Sequence, residues 1–182
     1  EGGLMAAKLL HLMAGEGRFV SVVVGRDDYH LLRRRAGFEA YFEGLATTER
    51  LEASSEDELR EAIRQRESHG PSLDGIFVTN AAAHVVIQTL RDPASVGQMN
   101  RAEPAPVVGY DLLPENVTCL RDGALAFAIN QQPENQGYQA VYAVYRHAIL
   151  RESVEHQIRI PVDLVTRETL QFHGLPDQPH KR

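Results

Sequence analysis

A regular exchange between apolar runs and amphipathic segments constrains this chain more than any other feature. "RFVSVVVG", "SLDGIFVTN", "APVVGYD" and "AFAIN" each read as a strand that is apolar along nearly its whole length. Between them the spacing is helical: from residue 3 to about Ala14, with Leu4, Leu9, Leu10 and Met13, then from Asp28 to Leu45. "SSEDELREAIRQRESHG" follows, its Ser55 and Glu58 spaced as in a capping box. "AAAHVVIQTLRD", Pro114 to Arg121, and the segment after "INQQ" complete the helical set.

Strands without a polar face need helices on both sides, and strands separated by helices pair in parallel through right-handed crossovers. The expected fold is therefore α/β, an open doubly wound parallel sheet with helices on both faces. A last run, "IRIPVDLV", alternates apolar and polar residues, and its Pro161 belongs at a sheet edge. "RDPASVGQMNRAEP" is rich in turn formers and reads as a surface connection. The tail 171–182 has no periodicity and is expected to be mobile.

Composition removes several function classes. A net charge of −6 argues against a surface that holds nucleic-acid phosphates unaided, so any contact with DNA must come from elsewhere. Cys119 is the single cysteine, which leaves no disulfide framework and no thiolate cluster for zinc. No apolar run reaches membrane-spanning length. The chain opens with Glu1 and not Met, which reads as a fragment or a processed chain, so a missing signal peptide says nothing about compartment.

In an open parallel sheet, ligands bind beyond the carboxyl ends of the strands. "VVVG" runs into Arg26, Asp27 and Asp28, "IFVT" into Asn80, "VVGY" into Asp111, and "FAI" into Asn130 and Gln131. Each polar residue alone is also what a helix cap after a βα turn requires; together they suit a polyhydroxylated ligand. In "LLRRRAGFEAYF", Leu31, Phe38, Phe42 and Leu45 share a helical stripe, Arg34 falls within it, and Arg33 points to solvent. An inward Arg34 needs a carboxylate or a ligand, and Asp111 is the obvious carboxylate, either as a structural pair or as a co-ligand. Asp27 and Asp28 are better explained as a cap and a first-turn acid than as an acid/base pair, and His84 as packed or capping. There is no Walker loop, G-x-G-x-x-G, G-x-S-x-G or H-E-x-x-H. No enzyme activity, metal or cofactor is expected. The amides of "INQQPENQGY" lie where strand becomes helix, with Pro133 suited to a first helical turn and Gly137 to a close backbone approach.

The order "RRAGF", "DGIFVTN" with an apolar helix, "VVGYD", "INQQPENQGYQAV" and "IPVDLVTRETL" resembles the C-terminal half of the effector domain of LacI/GalR-type transcriptional regulators, from about Gly2 to Leu170. That resemblance implies the C-terminal lobe of a periplasmic-binding-protein-like pair of lobes over residues 1–170, with a crossover helix, about 134–151, belonging to the other lobe. It implies a cytoplasmic homodimer that binds a sugar or sugar derivative and reaches operator DNA only through a helix-turn-helix not present here. Carried over, it puts Arg34, Asn80, Asp111 and Gln131 at ligand-binding positions, with Asp27 added from the strand ends, and Val85, Val86 and Leu90 at a dimer contact or in the core. Two departures are Ala81, where Asp is common, and Pro133, where many members have an aromatic ring. The rival expectation is a periplasmic solute-binding protein of a sugar transporter, which shares the fold.

Overall fold

The computed structural model describes residues 1–25, 28–92 and 104–175. Along the chain run helix α1 (Gly2–Ala14), strand β1 (Arg18–Val24), α2 (Tyr29–Phe42), β2 (Thr47–Ala53), α3 (Glu56–His69) and β3 (Gly75–Val78). Then come α4 (Ala83–Arg91), β4 (Val107–Tyr110), α5 (Pro114–Arg121), β5 (Phe127–Asn130), α6 (Pro133–Ala148) and β6 (Asp163–Val165), closed by a 3₁₀ turn, Arg167–His173. The strands form one sheet in the order β2-β1-β3-β4-β5-β6. All neighbours are parallel except β6, which runs antiparallel to β5 at the edge. The open doubly wound α/β fold expected from the apolar runs is the fold observed.

Period-two alternation sorts the strand residues onto two faces. Phe19, Phe77, Val108, Tyr110 and Ile129 pack under α1 and α2, where Phe19 stacks on Phe42 at 4.3 Å between ring centroids and Phe38 on Phe77 at 5.1 Å. Val22, Ile76, Val78, Val107 and Ala128 lie in the cluster on the other face, with Leu59 and Ile63 of α3 and Leu120 of α5. Fully burying one such side chain is worth about 1.5–3 kcal/mol, so these two clusters carry the fold. From β1 the chain departs to one side for β2, then returns past it to β3. That reversal opens a crevice at the carboxyl ends of β1 and β3.

Several details differ from expectation. Strand β2, "TTERLEA", has no apolar run to announce it, and only Ala53 is buried. It is an edge strand paired along its whole length to β1 and tied further by charge: Glu49 accepts from Arg18 at 3.0 Å and from Arg66 at 3.1 Å. Burial works against ionisation there, yet the two guanidinium groups hold the Glu49 carboxyl below its usual range. Such charges also blunt an open edge. Helix α2 ends at Phe42, and Leu45 is exposed, because Gly44 takes a left-handed φ of 75° that stops the helix. In α1 the buried face is Gly3, Ala6, Ala7 and Leu10, while Leu4 and Met13 are exposed. The tail expected from 171 begins inside the 3₁₀ turn, and Leu175 packs against the core; 176–182 lie outside the described residues, as does most of the turn-rich connection.

The α1 pattern has a steric cause. A Cβ added to Gly3 would collide with the carbonyl oxygen of Arg34, and one added to Gly37 would lie 3.3 Å from the Leu4 amide nitrogen. The two helices touch backbone to backbone, which fixes where Arg34 sits along α2. Gly3→Ala is therefore expected to lower the urea midpoint despite about 1 kcal/mol gained in helix propensity, since overpacking costs about 1–3 kcal/mol. A raised midpoint would contradict this close contact.

Candidate ligand-binding site

At the end of β1, Asp28 accepts from the amides of His30 at 2.8 Å and Leu31 at 2.9 Å, which makes it the cap of α2. The Leu31 amide is the main reason its carboxyl lies below the ordinary value. Asp27 and Arg26 lie outside the described residues. At the end of β3, Asn80 donates to the Val24 carbonyl at 2.7 Å and accepts from the Ala82 amide at 3.4 Å, so it ties the β3 loop to β1. Asn80 is thus not the cap of α4, whose N-cap is Ala82 and carries no side-chain cap; its bonds brace the loop, and it lines the cleft.

Asp111, at the end of β4, has a left-handed φ of 63°. Such a backbone is uncommon for a residue with a side chain, though Asp tolerates it best, and it aims a strand-end carboxylate in a direction that an extended chain would not. Arg34 does not meet Asp111 directly, contrary to the pairing expected from sequence. Its Nη1 donates to the Thr79 carbonyl at 2.6 Å and its Nη2 to Gln131 Oε1 at 2.6 Å. Gln131 Nε2 then donates to both Asp111 carboxylate oxygens, at 3.0 and 3.2 Å. An amide can accept from a guanidinium and donate to a carboxylate at once, which neither charged group could do in its place. The guanidinium also lies 3.8 Å from the centroid of the Tyr110 ring.

The other amides of the junction are spent internally. Gln132, itself left-handed at φ 54°, reaches the Pro161 carbonyl at 3.1 Å and Asp163 at 3.0 Å, which joins β5 to β6. Asn135 donates to Gln132 at 2.9 Å and Gln136 to the Gln131 carbonyl at 2.6 Å. Pro133 opens α6 as expected, but a Cβ at Gly137 would meet nothing within 4 Å, so no close approach occurs there.

Two residues of this centre were not picked out from sequence. Asn116, fully buried in the first turn of α5, donates to the carbonyls of Ala81 and Tyr110 at 3.0 Å and of Asp111 at 3.1 Å. It thereby holds the left-handed turn of Asp111 against the β3 loop. An Asn two residues after a helix-opening Pro carries no spacing signal of burial. Tyr110 is 2% exposed, and burial pushes its phenol up to about 12. An aromatic in an apolar run announces core, not an Arg partner.

Asp28, Arg34, Asn80, His84, Asp111 and Gln131 line a cleft of about 780 Å³. Part of the Arg34 fork and the free lone pairs of Asp111 suit ligand hydroxyls, which both donate and accept. Among the described residues, no group of His, Cys, Asp and Glu is arranged to hold a metal ion, and no helix is long and apolar enough to cross a membrane. Val85 and Val86, expected at a dimer contact or in the core, are 0% and 1% exposed and belong to the core; they offer a partner no surface. Leu90 is partly buried against the same cluster.

The family model described as the periplasmic binding protein domain matches residues 1–152. A curated xylose/arabinose-binding protein of Sulfolobus acidocaldarius is 25% identical over 150 residues, 81% of this chain and 37% of that protein. A solved structure from Bacteroides fragilis, described as a LacI transcriptional regulator, is 26% identical, with a TM-score of 0.78 over 94% of this chain and 60% of its own. A solute-binding protein of an ABC transporter from Agrobacterium vitis, bound with α-D-tagatopyranose, is 21% identical and similar in fold, with a TM-score of 0.80 over 96% of this chain and 58% of its own. This chain thus spans less than two thirds of each of these proteins.

Tyr110 gives the site a pH signature. Between its ordinary value of 10.0 and about 12, the folded state keeps a proton that the unfolded state has released. The stabilising contribution is full below pH 10 and is lost as pH rises to 12. Tyr110→Phe is expected to flatten the fall in thermal midpoint across that window; an unchanged fall would place its cause elsewhere.

Proposed function

The chain belongs to the periplasmic binding protein domain family, and we propose that it supplies one lobe of a sugar-binding site in a LacI-type transcriptional regulator. The observation that carries the reading is the hydrogen-bonded chain Arg34–Gln131–Asp111 at the carboxyl ends of parallel strands. It presents a charged donor and a charged acceptor on one edge of an open cleft, the pattern that a ring of hydroxyls can bridge. In this reading the site binds and does not catalyse; among the described residues it pairs no nucleophile with a base. Arg34, Asn80, Asp111 and Gln131 are the assigned contacts, with Asp27 as a further candidate on the β1 side.

The regulator reading is supported by the ordered motifs from "RRAGF" to "IPVDLV" and by the likeness to the Bacteroides fragilis protein at 26% identity. In it, residues 1–170 are the C-terminal lobe of the effector domain, and the protein acts as a cytoplasmic homodimer. Operator DNA is bound by a helix-turn-helix in another part of the protein. Helix α6 belongs to the other lobe, a reading supported by its having no buried residue. A second reading, a solute-binding protein of a sugar transporter, is favoured by the 25% identity to the xylose/arabinose-binding protein.

Calorimetric titration of the intact protein with D-xylose, L-arabinose and D-tagatose tests the shared part of both readings. Charged hydrogen bonds of this kind contribute about 1.5–3 kcal/mol each, so Asp111→Ala is expected to weaken binding by more than about tenfold. Arg34→Lys is expected to do the same, since a point charge cannot reproduce the fork. Both variants are expected to remain folded, with a lowered melt from the Thr79 and Gln131 contacts they disturb. A stable Asp111→Ala protein with undiminished sugar affinity would overturn the site. Sugar-dependent release from or recruitment to duplex DNA selects the regulator; a monomer without DNA affinity selects the transport protein.

A further inference from the structure

Helix α4 begins at Ala83, and its N-cap, Ala82, has no side-chain group to cap it. The missing acceptor comes from another helix: the His84 amide donates to Asn116 Oδ1 at 3.0 Å. The orientation of that carboxamide is fixed by its surroundings, since its nitrogen faces the three carbonyls of Ala81, Tyr110 and Asp111, all acceptors. Its oxygen therefore faces His84, whose ring Nδ1 lies 3.3 Å away. Two acceptors cannot share that contact, so Nδ1 carries a hydrogen; of the two single-proton tautomers, the one that fits is the one that leaves Nε2 its lone pair. His84 is half-buried and lines the same cleft as Asp111 and Asn80. With Nδ1 turned to buried Asn116, the ring edge left for the cleft is the one carrying Nε2.

We propose that His84 is a specificity-determining ligand contact, its Nε2 accepting a hydroxyl from the bound sugar and its tautomer set by Asn116. The assignment rests on the sugar-binding reading and extends it beyond the strand ends to the first turn of α4. Asp111 accepts as an anion, whereas a neutral imidazole accepts along one fixed direction. The contact therefore discriminates among sugars by the position and orientation of a single hydroxyl. Removing it also leaves the other strand-end contacts in place, so epimers that lack a hydroxyl in that direction lose little.

Two isosteric variants of the intact protein separate the roles of the two ring nitrogens. His84→Asn keeps an amide at the Nδ1 position and removes the cleft-facing group; His84→Gln does the reverse. In calorimetric titrations with D-xylose, L-arabinose and D-tagatose, His84→Asn is expected to weaken the best-bound sugar by roughly tenfold with an unchanged melt, and to narrow the spread of affinities. His84→Gln is expected to retain most of the affinity. In ¹⁵N spectra of the wild type, His84 is expected as the Nδ1–H tautomer, with Nε2 shifting on saturation by that sugar. If the wild type binds and His84→Asn binds equally well, or if the ring is the Nε2–H tautomer, this assignment falls while the sugar site stands. If the wild type binds none of the three, the sugar reading and this assignment both fall.

Discussion

A guanidinium drawn into the wall of a cleft must have its N–H groups met, and the rest of the site is arranged around meeting those of Arg34. Leaving such a donor unpaired costs more than any single contact returns. The Thr79 carbonyl takes one arm and Gln131 the other, while the Tyr110 ring covers a face of the group. These partners come from the ends of three different strands, so the demand of one side chain binds β3, β4 and β5 at their functional edge. The position of Arg34 is in turn set by backbone contact of α1 and α2 at Gly3 and Gly37. Helix packing on one face of the sheet thus controls electrostatics at its rim.

The edge is strained as well as polar. Asp111 and Gln132 are both left-handed, a conformation that costs roughly 1–2 kcal/mol for residues with a Cβ. Each is held by neighbours that over-determine it: Asp111 by Asn116 and by the Gln131 amide, Gln132 by Asp163 and the Pro161 carbonyl. Strain kept in place by surrounding hydrogen bonds is a common property of sites prepared in advance for a ligand. A carboxylate already aimed and already partnered need not reorganise on binding, which lowers the cost of capturing a ligand.

Much of this was legible in the residues themselves. Continuous apolar runs such as "GIFV" and "VVGY" announce strands buried on both faces, and the polar residues after them fall at the edge where the order β2-β1-β3 opens a crevice. Sequence spacing also put Arg34 on the inner stripe of α2. It could not show that Gln131 stands between Arg34 and Asp111, since which of two partners lies nearer depends on loop geometry at the 1 Å scale. Strand β2 escaped because it is an edge strand that pairs along β1 with charged side chains and one buried residue, and so carries no apolar run. Asn116 and Tyr110 escaped for the opposite reason: burial disguises a polar partner of the strand ends as core. The dimer contact sought in Val85 and Val86 shows the same ambiguity resolved the other way, since an apolar stripe facing its own sheet looks like one facing a partner.

The central claim is that Gln131 works as a relay, accepting from Arg34 while donating to Asp111, so that the charges are held ready for ligand without neutralising each other. Gln131→Met keeps the side chain's length and approximate volume and removes both halves of the relay. Titrating the intact protein and this variant with whichever of D-xylose, L-arabinose and D-tagatose binds best measures it directly. The account predicts a loss in affinity of at least about tenfold while the variant remains folded. A folded Gln131→Met protein that binds the sugar as tightly as the wild type would contradict it.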